Sequence, residues 1–286
     1  MSGYEIGLSS CGFALTEENF AKLRESGIGM IEVSMRYDEY PKIDYKALRR
    51  LSKHYGVRLW SYHLPFMPFD AIDPSSTSSE MREHTVAYFR ELIGRASEIG
   101  IDKFVIHPSG EPVHSAERAE RLKCSMETLD RLVGIASHDG AVLAVEDLPR
   151  SCLGNTSDEM LTLLSANDRL RVCFDTNHLL KENPADFVRK LGAKIVTLHV
   201  SDCDFVNERH WLPGEGKIDW PALLAALSKI GYAGPWLYEI SLTPPNTILR
   251  DRDLTFADFA ENANCLFCGV TPPTLSRPKP NLGMWE

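Results

Sequence analysis

The amino-acid sequence predicts one α/β domain closed as a (β/α)8 barrel. Three observations predict it. The 286 residues suit one large barrel. Short β-rich runs alternate with longer stretches of helical spacing along the chain, which argues for βα units and a parallel sheet. The middle runs, such as Phe104-Val-Ile and Val142-Leu-Ala-Val, are almost wholly apolar, as strands covered on both faces are.

The elements follow in order. Glu5–Ser9 is the first strand candidate, and Thr16-Glu-Glu-Asn-Phe opens the next helix like a capped start. Met30–Ser34 and Arg58–His63 are the second and third strands. Ser79 to Ile99 carries Val86, Phe89, Leu92, Ile93 and Ala96 at helical spacing and stops at Gly100. Lys103–His107 is the fourth strand, followed by a helix from Ala116 to Ser137 that Gly140 ends. Val142–Glu146, Arg171–Asp175, Ile195–Val200 and Trp236–Ile240 complete the set of eight. Asp219 is the N-cap of a helix with Pro221 in its first turn. Gly27, Gly56, Gly100, Gly140, Gly192 and Gly231 each end a helix before a strand. The barrel is assigned to residues 1–271. From Pro272 to residue 286 the Pro-rich tail cannot be a regular helix or central strand and is expected to lie extended on the barrel surface. A doubly wound open sheet is disfavoured, because no Gly-x-Gly-x-x-Gly follows the first strand.

Composition narrows the function. Lys and Arg total 31 against 40 Asp and Glu, a net charge of −9, so nucleic acid is a disfavoured partner. No apolar run approaches the roughly 20 residues that span a bilayer. The opening Met1-Ser2-Gly3-Tyr4-Glu5 shows no basic-then-apolar pattern, so cytoplasmic residence is the expectation. The seven cysteines are odd in number and scattered, which does not describe a disulfide framework; Cys265-x-x-Cys268 is read as buried packing. Trp236, Phe267 and Trp285 are either core or the interface of a homo-oligomer.

The chemistry gathers at strand ends. From the third strand onward, each candidate ends at or beside a metal-ligand type: His63, His107, Glu146, Asp175, His199 and Glu239. A closed barrel brings these to one mouth, where barrel enzymes keep their sites. A lone His or Glu there is often a structural residue or a cap, but carboxylates and imidazoles crowded together are costly without a cation. Mixed oxygen and nitrogen donors suit one Zn2+ or Mn2+, with Mg2+ or Co2+ less suited, and no organic cofactor is expected. His178, Asp202, Glu32 and His210 are candidates for substrate binding or a further metal, as is Arg36 for substrate; Gly214 and Gly216 permit a tight turn near a ligand.

Together, Tyr62-His63-Leu-Pro-Phe, Val145-Glu146-Asp, Phe174-Asp175-Thr-Asn-His178, Leu198-His199-Val-Ser-Asp202 and His210-x-x-Pro-Gly-Glu-Gly-x-Ile-Asp-Trp resemble the xylose isomerase-like TIM barrel superfamily of sugar and sugar-phosphate isomerases and epimerases. The ordered set spans about residue 4 to residue 268. The resemblance implies one divalent metal bound by Glu146, Asp175, His199 and Glu239, with His178 contacting substrate. It further implies Glu146 and Glu239 as the catalytic pair: one removes a proton beside a ketose carbonyl, the other returns it, through a metal-bound enediolate. A hydride shift is disfavoured, since Glu146-Asp-Leu-Pro-Arg150 lacks the lysine that route uses. A phosphorylated substrate would call on Arg250 or Arg252. Two alternatives remain: a dehydratase of a keto-inositol type, and a zinc-dependent abasic-site endonuclease resembling endonuclease IV, which would use His63, His107, His178, Glu208 and His210. A sugar-binding scaffold without catalysis would lack some of the core ligands, all of which stand here.

Overall fold

The computed structural model describes residues 3–138 and 140–284. Strand and helix alternate as the residue patterning dictates: β1 (Ile6–Ser9), α1 (Glu17–Glu25), β2 (Met30–Val33), α2 (Tyr45–Tyr55), β3 (Arg58–His63), α3 (Ser79–Ser97), β4 (Lys103–Ile106), α4 (Arg118–His138) and β5 (Val142–Glu146). The second half continues with α5 (Ser157–Leu164), β6 (Arg171–Asp175), α6 (Pro184–Leu191), β7 (Ile195–His199), α7 (Trp220–Lys229), β8 (Trp236–Tyr238), β9 (Ile248–Leu249), α8 (Phe256–Phe267) and β10 (Arg277–Pro278).

Eight strands pair in parallel in the order β7-β6-β5-β4-β3-β2-β1-β8. The ring closes through a parallel bridge between Val200 and Tyr238, with Val200 N donating to Leu237 O at 2.8 Å. The helix starts are held by side chains that accept backbone N–H groups: Thr16 from Asn19, Asp44 from Ala47, Ser78 from Met81 and Asp219 from Ala222. The glycine before β3, Gly56, caps α2 at φ 64°, a left-handed conformation that a side chain would strain.

Alternation along each strand decides which side chains enter the barrel. Val105, Ala144 and Cys173 form a small buried cluster of their own, apart from the large core between sheet and helices. Two residues further along come Glu146 and Asp175, the last residues of β5 and β6, and His107, one position past β4. The pairing of β2 with β3 skips Trp60, a bulge that lets its indole Nε1 reach Thr197 Oγ1 at 3.0 Å low in the barrel. Apolar packing therefore fills the floor and leaves the upper layer to polar residues.

The tail is extended, and it pairs: β10 lies antiparallel to β9, and Lys279 N donates to Thr247 O at 2.9 Å. Further on, the Gly283 carbonyl accepts from Arg209 Nη2 at 2.6 Å. Trp236 is core, fully buried among Tyr4, Trp220 and Phe267. Trp285 lies outside the described residues.

Candidate active site

Glu146, Asp175, His199 and Glu239 meet at the carboxyl ends of β5 to β8, one ligand-type atom from each lying within 4.8 Å of the others. His199 Nδ1 stands 3.0 Å from Glu146 Oε1, 3.6 Å from Glu239 Oε2 and 3.9 Å from Asp175 Oδ2. The other oxygen of Glu146 is shared by two imidazoles, with His63 Nε2 at 3.0 Å and His107 Nε2 at 3.1 Å. On its far side His199 Nε2 lies 3.1 Å from Glu32 Oε2, which accepts from Ser61 Oγ at 2.8 Å. Glu32 is thus a buried support behind His199 and does not line the mouth cavity.

A second group of ligand types, His178, Glu208 and His210, sits beside the first and rests on loops. His178 Nδ1 is 2.8 Å from the Asp147 carbonyl, and its Nε2 is 3.1 Å from Glu208 Oε2. Arg150, at φ 51°, ties this group down: Nη1 donates to Glu208 Oε1 at 2.7 Å, while Nε and Nη2 grip Glu111 at 2.8 and 2.6 Å. Asn177 Oδ1 accepts the backbone N–H groups of Arg209 and His210 at 2.7 and 3.3 Å, and His210 Nδ1 lies 3.1 Å from the Glu239 carbonyl.

Glu239 of the first group and all three residues of the second line one cavity of about 410 Å³, together with His107, while Glu146, Asp175 and His199 lie beneath it. That volume suits a small molecule. Phe66 forms part of its wall, stacked on His107 with ring centroids 4.4 Å apart.

Charge is unevenly compensated in this layer. Burial works against the Glu146 carboxylate, yet the imidazoles of His199 and His107 outweigh it and hold the group well below the usual range. Glu239 is half-buried; desolvation works against its carboxylate too, and His199 holds it down. Asp175 goes the other way: burial pushes it up to about 7, with His178 opposing and Glu239 and Glu146 adding. Burial lowers His107, while hydrogen bonding to Glu146 overcomes burial at His63 and lifts it to about 9.

Asp175 Oδ2 is moreover buried without a hydrogen-bond partner. An unpaired buried acceptor facing two carboxylates and an imidazole is what a divalent cation would satisfy, and the donor set of carboxylate oxygens and imidazole nitrogen fits Mn2+ or Zn2+ chemistry.

Residues 20–255 match the family described as xylose isomerase-like TIM barrel. The chain belongs to that family. Uncharacterized protein MJ1311 of Methanocaldococcus jannaschii is 31% identical over 244 residues, 80% of this chain and 81% of that protein. The D-psicose 3-epimerase of Agrobacterium fabrum is 24% identical over 254 residues, 82% of this chain and 83% of the enzyme. Among solved structures, a D-tagatose 3-epimerase-like protein superposes with a TM-score of 0.75 at 26% identity, covering 93% of this chain and 96% of that one.

Several expected residues are placed elsewhere. Asp202 does not reach the mouth of this family member. It fastens the seventh loop, accepting from Cys203 N at 2.9 Å, Gly214 N at 2.8 Å, Ile218 N at 3.2 Å and Trp220 Nε1 at 3.0 Å. Gly216 serves the same fastening, since a Cβ there would collide with Asp202 Oδ1 and the Cys203 carbonyl. Arg250 and Arg252, the candidates for phosphate, are turned to Glu215 and Asp258 at 3.0 and 2.7 Å. Arg36 sits at the rim of a neighbouring hollow. Sequence reasoning missed Arg150, Glu111 and Asn177 as supports of the second group. The nearest signal was the run Asp175-Thr-Asn-His178, which places Asn177 beside an inward aspartate.

Proposed function

We propose that the protein is a divalent-metal-dependent isomerase or epimerase of keto-sugars. The observation that carries this reading is the convergence of Glu146, Asp175, His199 and Glu239, with Asp175 Oδ2 buried and unpaired. Those four residues would hold the ion, which would supply positive charge to the substrate oxygens beside the reacting carbon. Glu146, at the end of β5, and Glu239, just after β8, approach His199 Nδ1 at 3.0 and 3.6 Å, and both are held in the ionised form. One takes the proton from the carbon next to the carbonyl; the other, ionised at rest, first takes up a proton from solvent and delivers it from the opposite side, after which the first releases its proton to solvent. Return to the same carbon inverts it; return to its neighbour moves the carbonyl. His63 and His107 fix the Glu146 carboxylate, and the remaining ring nitrogen of His107 is left to accept from a hydroxyl in the cavity, while both nitrogens of His178 are held by the Asp147 carbonyl and Glu208. The epimerase names of the relatives support the same class.

One observation favours a second reading. The His178–Glu208–His210 group could hold further zinc, as an endonuclease of the endonuclease IV kind requires. The net charge of −9 and the engagement of Arg150 by Glu111 and Glu208 weigh against a DNA partner.

The test is solvent exchange. Manganese-loaded protein is incubated with a panel of ketoses in deuterated water and followed by NMR. Deuterium should enter at the carbon beside the carbonyl, and Glu146→Gln and Glu239→Gln should each reduce the rate by about 10³-fold. Full exchange in both variants would end the two-carboxylate mechanism, and cleavage of abasic-site DNA would install the second reading.

A further inference from the structure

Beside the mouth cavity lies a second and larger hollow, of about 630 Å³, built by the loops after β1, β2 and β3. The two spaces share Cys11, Ser34 and Phe66 and so lie side by side. The proposed proton transfer uses none of this second space. The mouth, at about 410 Å³, already falls within the roughly 300–1,000 Å³ of complete small-molecule sites.

Its walls are apolar and aromatic, with Phe13, Met35, Tyr37, Phe66 and Met67 lining it. Phe66 and Met67 are 37% and 52% exposed, large apolar side chains left in water at the edge of a ligand cavity. The charges are spoken for. Among the described residues that line either space, the arginines and lysines are Arg36 and Arg150. Arg36 faces Asp38 at 3.8 Å and Glu39 at 3.5 Å, and Arg150 holds Glu111 and Glu208 at 2.6 and 2.7 Å. Asp38 is paired a second time, with Lys42 at 3.1 Å, so two cations and two carboxylates cancel there, and the outer hollow offers a phosphate no excess of positive charge while it tolerates a neutral ring whose C–H face packs on aromatic walls.

We infer that this hollow is a subsite for a second, uncharged ring, so that the substrate is a keto-sugar carrying a linked ring such as a glycosyl group, and not a free or phosphorylated monosaccharide. This rests on the reading of the mouth as a keto-sugar site. The reacting ring sits over Glu239 and His178, and its substituent passes Phe66 into the outer hollow.

Calorimetric titration of the metal-loaded protein tests it, using D-fructose, fructose 6-phosphate and neutral glucosyl-fructoses linked at different hydroxyls. At least one glucosyl-fructose should bind about tenfold more tightly than fructose, and fructose 6-phosphate no better than fructose. Ala14→Trp fills the outer hollow from an exposed position and should bring the affinity ratio of the two-ring ligand to fructose down towards one. Two-ring ligands that never exceed fructose, a phosphate ester that does, or a ratio that Ala14→Trp leaves untouched would each overturn the inference. Solvent exchange in the same samples separates the claims. Exchange without ring discrimination defeats the subsite alone, and ring discrimination without exchange defeats the proposed reaction alone.

Discussion

The two groups of ligand-type residues at the mouth are built differently. Glu146, Asp175 and His199 stand at strand ends, fully buried, and Glu239 follows β8 directly. Their positions are set by the pleat and by the register of neighbouring strands, such as Asp175 opposite His199. His178, Glu208 and His210 hang on loops, with the Glu208 side chain 27% exposed, and are held by contacts from distant parts of the chain: Arg150 to Glu208, Asn177 to the backbone before His210. A rigid sheet positions the first group, braced within the same buried layer by His63, His107 and Glu32. The second depends on a frame of hydrogen bonds that a single substitution can loosen. The inner group accordingly suits chemistry, and the outer group suits contact with what enters the cavity.

Substitutions break or sharpen this contrast. The largest effect is expected from matched histidines: His199→Ala should lower kcat/KM by about 10³-fold through loss of the ion, and His210→Ala by only about tenfold. Equal losses in steady-state kinetics would erase the distinction between the groups. The frame of the seventh loop comes next. Asp202→Ala leaves buried N–H donors unpaired and should destabilise the fold by about 3 kcal/mol in denaturant melts, while the metal bound per folded molecule stays the same. A drop in metal content would return Asp202 to the site. Arg150→Met should cost about 2 kcal/mol and raise KM more than it lowers kcat, since it frees Glu208 and His178 and leaves the inner group in place. The smallest effect is a control far from both groups. The hydrogen bond from Arg252, aided by those of Thr255 and opposed by burial, holds Asp258 down at about 2 against an ordinary 3.8. A carboxyl depressed on folding stabilises above its unfolded value and loses that contribution as pH falls through its folded one. The Tm difference between wild type and Asp258→Asn should therefore be full above pH 4 and shrink between pH 4 and pH 2; a difference that is flat with pH would exclude the ion pair as its cause.

How far the sequence could be read follows the same division. All eight strands stand where apolar runs place them, with Arg58–His63, Val142–Glu146 and Arg171–Asp175 matching to the residue. Caps at Thr16 and Asp219 are equally legible, because they depend on residues within one helical turn. The strand-end residues come together because alternation and closure leave them one place to point. Asp202 misleads for a local reason: it follows His199 closely, but the chain has by then left β7 and turned to pair with Trp211, so its carboxylate faces its own loop. Arg150 is harder still. It takes a left-handed backbone conformation and bridges Glu111 and Glu208, partners 39 and 58 positions away in the chain. No local pattern encodes such a contact, and the same holds for the hollow formed by three separate loops.

The central claim, that the strand-end group binds one divalent ion, is tested most directly by the metal content of protein purified without chelator or added metal, measured per chain for wild type, His199→Ala and His210→Ala. The account predicts about one Mn2+ or Zn2+ in wild type and in His210→Ala, and almost none in His199→Ala. No metal in wild type even after soaking with Mn2+ or Zn2+, or metal that follows His210 and ignores His199, would contradict it.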